Sequence, residues 1–262
     1  MSASSAHVIC QKECFHCSLD ALEGNIVESN GASRANFDRL LLASRFQAIY
    51  TPDKKAIHGY EGLLKASLSG SKCRIQDVFS EYEKPLDIVR LDRTCRGLHI
   101  RNSVSRQLSG KLFLNLDPRL SQYRGMCSPF FEQLLNRYKV DASRIVIEII
   151  ESHIEDISPL VDIVEFYRGL GCKVAVDDFG AGNSNFDRLC QIEPDYIKLD
   201  KVFISKISQR KNAQSFIHRL VELFHEMGAS VVMEGVENAR EHALAQASGV
   251  DFVQGYYYAR PA

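Results

Sequence analysis

The stretch KVAVDDFGAGNS, residues 173–184, joins a short apolar run to two adjacent acids and a glycine-rich loop. Apolar runs of similar length recur along the chain, and segments with helical periodicity separate most of them. There are eight such runs in all: RFQAIYT (45–51), AIHGYEGLL (56–64), KLFLNL (111–116), RIVIEII (144–150), KVAVDDF (173–179), YIKLD (196–200), SVVMEGV (230–236) and DFVQGYYY (251–258). This alternation is typical of βα units around a parallel sheet, and eight is the strand number of a TIM-type barrel. The sequence therefore predicts an α/β fold, a (β/α)8 barrel.

Two of the intervening segments show the spacing of a helix with one apolar face. The first begins at Ser158-Pro159, and its apolar residues are Leu160, Ile163, Val164 and Tyr167. The second ends at Gly228, and its apolar residues are Phe216, Leu220, Leu223 and Met227. Both fit helices that pack against a sheet.

The composition excludes several classes of protein. The chain has 32 basic and 33 acidic residues, so no global field attracts a nucleic-acid polymer or anionic lipid. No apolar run reaches the ~18 residues of a spanning helix, and the N-terminus MSASSAHVIC lacks the pattern of a signal peptide. We expect a cytoplasmic protein with no membrane partner.

The first 33 residues differ from the rest of the chain. They show little hydrophobic periodicity, so we predict a poorly structured leader at 1–33 and one barrel domain at 34–262. Five potential zinc ligands crowd together in this leader: His7, Cys10, Cys14, His16 and Cys17. Their C-x3-C-x2-C spacing is not a common zinc pattern, so we favour incidental thiols in an unstructured leader, and a zinc site is the alternative.

Polar residues interrupt the predicted strands, although strands buried on both faces should be continuously apolar. Burying one unpaired carboxylate costs several kcal/mol, and catalytic groups of barrels gather at the carboxyl ends of the strands. We therefore predict one shared site with cations, and the alternative is that each acid is satisfied separately. The residues concerned are Glu61, Asn115, Glu148, Asp177, Asp178, Lys198, Asp200, Glu234 and Gln254.

These oxygen-rich side chains favour Mg2+ or Mn2+ over zinc. The adjacent acids Asp177 and Asp178 suit two ions, ~3.5–4 Å apart, which together promote in-line displacement at phosphorus. Lys198 and Asp200 are expected to share a strand face, where they either orient a water or form an ordinary salt bridge. Glu234 is either the general base or another ligand.

Seven motifs resemble, in order, the signatures of the EAL-domain cyclic di-GMP phosphodiesterases. They are YEGLL (60–64), NLD (115–117), EIIE (148–151), DDFGAGNS (177–184), KLD (198–200), EGVE (234–237) and QGYYYARP (254–261). The resemblance runs from about residue 40 to residue 262. It implies a barrel whose first strand is antiparallel to the others. It also implies hydrolysis of cyclic di-GMP to linear pGpG with Mg2+ or Mn2+.

The resemblance further implies roles by position. One metal would be ligated by Glu61, Asn115, Glu148 and Asp177, and Asp177 would bridge to a second ion held by Asp178. Glu234 corresponds to a general base or a ligand through water. Lys198 corresponds to the residue that positions the nucleophile, with Asp200 as its support.

Four further residues take supporting roles under the same resemblance. Glu151 resembles a glutamate that anchors the loop after DDFG, a loop tied in the family to dimer contact, so we expect a homodimer. Gln47, Lys65 and Gln254 correspond to substrate-binding positions. For the two glutamines, structural hydrogen bonding is the alternative.

The chain departs from the family pattern at three places. The name-giving Glu-Ala-Leu reads Glu61-Gly62-Leu63, from which we expect little chemical effect. Lys65 stands where the family usually has arginine, so the paired hydrogen bonds that a guanidinium forms with a phosphate are lost. The loop GAGNSNF (180–186) also differs, which can alter regulation or assembly.

An inactive EAL-like receptor or interaction module is the main alternative to an active enzyme. An enolising lyase explains the acids but not the motifs.

Overall fold

The structure is a computed structural model and describes residues 18–29, 31–122, 129–150, 157–182 and 186–262. These residues form a sheet of eleven strands. In chain order the strands are β1 Ile26–Ser29, β2 Ala32–Phe37, β3 Leu40–Tyr50, β4 Ile57–Leu68, β5 Ser71–Cys73, β6 Lys111–Asn115, β7 Ile145–Ile150, β8 Lys173–Phe179, β9 Tyr196–Leu199, β10 Ser230–Met233 and β11 Phe252–Val253.

Eight of these strands close a barrel in the order β3, β4, β6, β7, β8, β9, β10 and β11. The strand β3 pairs antiparallel with both β4 and β11, whereas the other neighbouring pairs are parallel. Each of the eight predicted runs overlaps one barrel strand, and β3 and β4 extend beyond their runs. The predicted barrel and its antiparallel first strand are therefore confirmed.

Helices cover the outside of the barrel. In chain order the helices of the described residues are α1 Leu19–Gly24, α2 Ile75–Ser80, α3 Pro85–Ser105, α4 Phe130–Tyr138, α5 Ser158–Gly169, α6 Phe186–Ile192, α7 Lys201–Ile207, α8 Ala213–Glu226 and α9 Ala239–Ser248. The predicted face of α5 is buried, with Leu160, Ile163, Val164 and Tyr167 in the core. Within this part of the chain, no helix has both the length and the apolar character needed to cross a bilayer.

The buried face of α8 differs from the predicted one. Ile217, Val221 and Phe224 are at most 1% exposed, whereas Phe216 and Leu223 are 43% and 42% exposed. Apolar residues cover two adjacent stripes of this helix, and both stripes fit the helical period. The barrel buries the stripe that contains Phe224, whose ring lies 5.2 Å from that of Phe179 in β8. The prediction of Phe216 and Leu223 as core residues was wrong.

Part of the predicted leader forms regular structure. The helix α1 begins after Ser18, whose side chain accepts a hydrogen bond from the amide of Ala21 at 3.2 Å. The strand β1 pairs with β2, which in turn pairs with β3 of the barrel. The predicted boundary at residue 34 falls inside β2 and stays a prediction. The five cysteines and histidines of the alternative zinc site lie outside the described residues.

An apolar layer fills the barrel interior below its mouth. We call this layer the floor. The ring of His58, at the start of β4, stacks on Phe252 with 3.6 Å between centroids and lies 3.2 Å from the hydroxyl of Tyr196. The other floor residues are Ile49, Phe113, Val146, Ala175 and Val232.

The half-buried His58 and the buried His99 make the stability of the fold sensitive to acid. Burial lowers the pKa of His58 and of His99 from 6.5 to about 4. Because the unfolded chain takes up these protons first as the pH falls, we expect the free energy of unfolding to drop from pH 6.5 towards pH 4. Urea unfolding at about pH 7 and about pH 5, with His58→Gln as the comparison, measures the drop.

The comparison with the variant is needed because other groups oppose the histidines. Buried carboxyl groups with raised pKa values gain stability on acidification. The difference between the two proteins isolates His58, so His58→Gln should lose less stability on acidification than the wild type. An equal loss in both proteins would contradict this assignment.

Candidate metal centre and active site

Polar side chains form a layer directly above the floor, on the same strands or, for Glu234 and Gln254, directly after them. Val146 precedes Glu148 by two residues, and Tyr196 precedes Lys198 in the same way. Since side chains alternate along a strand, residues two apart face the same interior. We call this polar layer the ring, and its members are Gln47, Glu61, Asn115, Glu148, Asp177, Lys198, Glu234 and Gln254.

The ammonium of Lys198 lies among the acids of the ring. Its Nζ lies 2.6 Å from Glu148 Oε1, 2.7 Å from Glu234 Oε1, 3.1 Å from Asp177 Oδ1 and 3.4 Å from Glu61 Oε2. The lysine is 1% exposed, so these ion pairs are formed away from water. One positive charge therefore faces four carboxyl groups.

Burial controls the ionisation of this cluster. Burial raises the pKa of Glu148 well above the usual value, and it also raises the pKa of Asp177. It raises the pKa of Glu234 to about 8. Burial and the neighbouring Asp177 raise the pKa of Asp178 to about 6. Burial alone would lower the pKa of Lys198, but the carboxylates around it raise that pKa well above its usual value. The cluster thus has fewer positive charges than carboxyl groups, and this imbalance favours cation binding.

Two groups of carboxylates could each hold a cation. Glu61, Glu148 and Asp177 form one group, and Asp177, Asp178 and Glu234 form the other, each with its oxygens within 4.8 Å of one another. Within the described residues, Glu148 Oε2 is buried and has no hydrogen-bond partner. An orphaned carboxylate oxygen in an all-oxygen donor set fits a hard cation such as Mg2+ or Mn2+.

The two adjacent acids reach the same cluster because β8 is irregular between them. Asp178 has a φ of 57°, in the left-handed region, and the pairing of β8 with β9 shifts register between Val176 and Phe179. In a regular strand the side chains of Asp177 and Asp178 would point to opposite faces. The irregularity removes that alternation, so that both acids can contribute oxygens to one group.

Asn115 and Gln254 both contact Glu61. Asn115 Nδ2 lies 3.4 Å from Glu61 Oε1, and Gln254 Nε2 donates to Glu61 Oε2 at 2.7 Å. Gln254 is buried, and its Oε1 has no partner among the described residues. Gln47 instead donates to the backbone carbonyl of Ala259 at 3.3 Å, which matches the structural alternative for this residue.

Asp200 follows Lys198 by two residues, directly after the end of β9. It caps α7, where its Oδ1 accepts a hydrogen bond from the amide of Val202 at 2.7 Å. Its charge also contributes to the raised pKa of Asp178. Among the described residues, no hydrogen bond or ion pair joins Asp200 to Lys198, and its support of the lysine stays a prediction. Glu151 and residues 183–185 of the loop after DDFG lie outside the described residues.

Gly62 has a structural role that the sequence did not indicate. A Cβ added to Gly62 would lie 2.9 Å from Cγ of His99 in α3, closer than real Cβ contacts allow. His99 is itself buried, and its Nδ1 lies 2.9 Å from Ser44 Oγ. The imidazole therefore occupies the space that an alanine methyl would need beside Glu61. A single sequence offers no signal for this contact, because His99 reads as an ordinary helix residue.

We expect Gly62→Ala to destabilise the fold and weaken metal binding. Overpacking of this kind costs about 1–3 kcal/mol, and the strain falls on the residue next to Glu61. Thermal unfolding without metal and titration with Mn2+ measure the two effects. His99→Ala in the same chain should restore both, whereas Gly24→Ala, with nothing within 4 Å of its added Cβ, should change neither. If the double variant binds Mn2+ no better than Gly62→Ala, the steric explanation is wrong.

Comparison with known sequences agrees with the geometry of the ring. The sequence model of the EAL domain matches residues 32–261. The chain is 36% identical over 130 residues to the cyclic di-GMP phosphodiesterase RocR of Pseudomonas aeruginosa, covering 49% of this chain and 33% of RocR. It spans about a third or less of the length of the first curated relatives that it matches.

Solved structures share the barrel. A standalone versatile EAL protein from Vibrio cholerae O395, in its c-di-GMP-bound form, matches with a TM-score of 0.76 and 28% identity, over 87% of this chain and 94% of that chain. A manganese and cyclic di-GMP complex of BlrP1 from Klebsiella pneumoniae matches with a TM-score of 0.73 and 26% identity, over 84% and 56% of the two chains. Since the family model spans the whole barrel, the chain belongs to the EAL domain family.

Proposed function

We propose that this chain hydrolyses cyclic di-GMP to linear pGpG and uses two Mg2+ or Mn2+ ions. The observation that carries the proposal is the pair of carboxylate groups that share Asp177 at the barrel mouth. Further support comes from RocR, which is named a cyclic di-GMP phosphodiesterase, and from the nucleotide-bound structures of Vibrio cholerae and Klebsiella pneumoniae.

We assign different roles in this reaction to different residues of the ring. Glu61, Asn115, Glu148 and Asp177 would hold one ion, and Asp177, Asp178 and Glu234 have oxygens that could hold the other. When bound, two divalent ions activate a water and stabilise the attacking and leaving oxygens at phosphorus.

Glu234 can also accept a proton, the other role predicted for it. Burial raises its pKa to about 8 in the absence of metal ions, and bound cations would lower that pKa into the range of a general base. The ammonium of Lys198, 2.7 Å from Glu234 Oε1, holds that carboxyl group in position. Water then adds to one phosphodiester of the ring-shaped nucleotide, and the released ribose oxygen takes up a proton. A supporting role of Asp200 stays a prediction.

Product analysis tests the proposal. Purified protein is incubated with cyclic di-GMP, with and without Mg2+ or Mn2+, beside Glu61→Ala, Glu234→Gln and the control Glu237→Gln. Glu237 is an exposed acid that pairs with Lys201, outside the ring. We expect metal-dependent pGpG, lowered by about 10²-fold or more in the two ring variants and unchanged in the control. Cyclic di-GMP that is bound but left intact by the wild type would favour the receptor alternative.

We also propose a homodimer formed through an apolar surface of α6, α7 and α8. The exposed residues of this surface are Phe186, Val202, Phe216 and Leu223, which are between 42% and 45% exposed. Aromatic contacts join the three helices, since the ring centroid of Phe186 lies 6.3 Å from that of Phe224 and the ring centroid of Phe203 lies 6.3 Å from that of Phe216. Clusters of exposed apolar residues are typical of association sites. The surface begins directly after the loop that follows DDFG, where the resemblance places dimer contact.

We expect Phe216→Glu to convert a dimer into a monomer, because two like charges would face each other across a two-fold axis. Sedimentation equilibrium at several concentrations measures the mass. Val27→Glu, at an exposed valine of β1, is the matched control and should leave the mass unchanged. A wild type that sediments as a monomer would rule this dimer out.

The cytoplasmic location stays a prediction, and a zinc site in the leader stays the alternative to incidental thiols.

A further inference from the structure

The hairpin of β3 and β4 continues beyond the ring and forms one wall above the mouth. The two strands pair from Gln47 opposite Glu61 up to Leu40 opposite Leu68. Side chains directly opposite each other in a ladder point to the same face. The face that carries Glu61 therefore also carries, further up the wall, Leu63 and Lys65 of β4 and Ala43 and Arg45 of β3.

Arg45 lies centrally on this wall. It pairs with Leu63, so it is the diagonal neighbour of both Glu61 and Lys65. Diagonal neighbours in a ladder are about 7–8 Å apart, a distance that an arginine side chain can span. The opposite face of the same strand is different, since Ser44 and Phe46 are buried against the helices.

The two cations of the wall are unpaired within the part of the chain that is described. Arg45 and Lys65 are exposed, and neither forms an ion pair or a hydrogen bond with any described residue. Two like charges on diagonal ladder positions repel each other, and an anion bound between them would offset this repulsion.

The ring cannot supply the positive charge that a bound nucleotide needs away from the carboxylates. The ammonium of Lys198 already faces four carboxyl groups. Lys65 is a point charge, whereas phosphodiester oxygens are best bound by the planar fork of a guanidinium. Arg45 has that fork and stands next to Lys65 on the same face.

We infer that Arg45 binds a phosphodiester group of the substrate, beside Lys65, and supplies the guanidinium that Lys65 lacks. This inference rests on the proposed function, because the ligand is the cyclic dinucleotide. It makes Arg45 an affinity-determining residue at the mouth. It also explains how a lysine can stand at position 65 while the ring keeps its acids.

The test compares single and double variants in binding and in turnover. The dissociation constant for cyclic di-GMP is measured by calorimetry in Ca2+, with the nucleotide checked for integrity afterwards, and KM and kcat are measured in Mn2+. The variants are Arg45→Ala, Lys65→Arg and the double change, with Arg39→Ala, at an exposed arginine of the β2–β3 turn, as the matched control.

Arg45→Ala should weaken binding and raise KM by about 10- to 100-fold, the effect of one charge-assisted hydrogen-bonded pair. The kcat should stay within about 3-fold, because the ring is untouched. Lys65→Arg should restore most of the affinity in the Arg45→Ala background, which a merely structural role of Arg45 would not allow.

The outcomes separate this inference from the proposed function. A wild type that binds and hydrolyses the nucleotide, with Arg45→Ala indistinguishable from Arg39→Ala, would overturn the inference and leave the function standing. A loss of kcat without a change in KM would also overturn it. A wild type that binds no cyclic di-GMP would overturn both.

Discussion

Replacing Lys198 by methionine is expected to lower the melting temperature of the metal-free protein by about 10 °C. Four carboxyl groups within 3.4 Å would lose their common counter-charge in a site where the lysine is 1% exposed. Removing one partner of a buried ion pair costs about 3–5 kcal/mol. Differential scanning calorimetry in EDTA measures the change.

Added Mn2+ should raise the melting temperature of Lys198→Met more than that of the wild type, because a divalent ion can replace the missing charge. Lys173→Met is the control. Lys173 pairs with Asp195 at 2.7 Å but is 47% exposed, so its loss should cost at most about 1 kcal/mol. A Lys198→Met protein that melts with the wild type in EDTA would show that this ammonium does not stabilise the ring.

Replacing Asp177 by asparagine is expected to lower the rate of hydrolysis about 10³-fold and to remove both ions. Within the described residues, Asp177 is the one acid that belongs to both carboxylate groups. Glu148→Gln touches only the first group, so it should remove one ion and leave the other. Equilibrium dialysis against Mn2+, followed by elemental analysis, counts the ions bound per chain.

The control for this pair is Asp187→Asn, a change at an exposed acid of α6 that hydrogen-bonds Gln191. It should leave both the metal content and the rate unchanged. If Asp177→Asn and Glu148→Gln bind the same amount of Mn2+, the two groups do not act as separate sites that share one ligand.

The barrel was predictable because its strands are buried on both faces and so stand out as short apolar runs. The ring was predictable for a related reason. An acid such as Glu148, in the middle of the run RIVIEII, has few explanations other than a site that needs its charge. The antiparallel direction of β3 came only with the family resemblance, because a run of apolar residues carries no direction.

Three features were not predictable from one sequence, each for a physical reason. The face of α8 was misassigned because apolar residues cover two stripes of that helix, and only the packing against Phe179 selects one. The capping of α7 by Asp200 was not indicated, because the residue at which β9 ends and α7 begins depends on the surrounding fold. The contact of Gly62 with His99 joins residues far apart in the chain, so neither neighbour indicates the other.

Floor and ring residues lie two positions apart on the same strands. The site is therefore kept only as long as the alternation of inward and outward side chains is kept. Deleting one residue within a barrel strand reverses which side chains face inwards, so it would turn Tyr196 and Lys198 together towards the helices. Such a deletion cannot produce a folded barrel with a slightly altered site. The turn at residues 51–56, at the opposite end of the β3–β4 hairpin from the mouth, is free of this constraint. Variation in length is therefore expected to accumulate in that turn, while the strands change only by substitution.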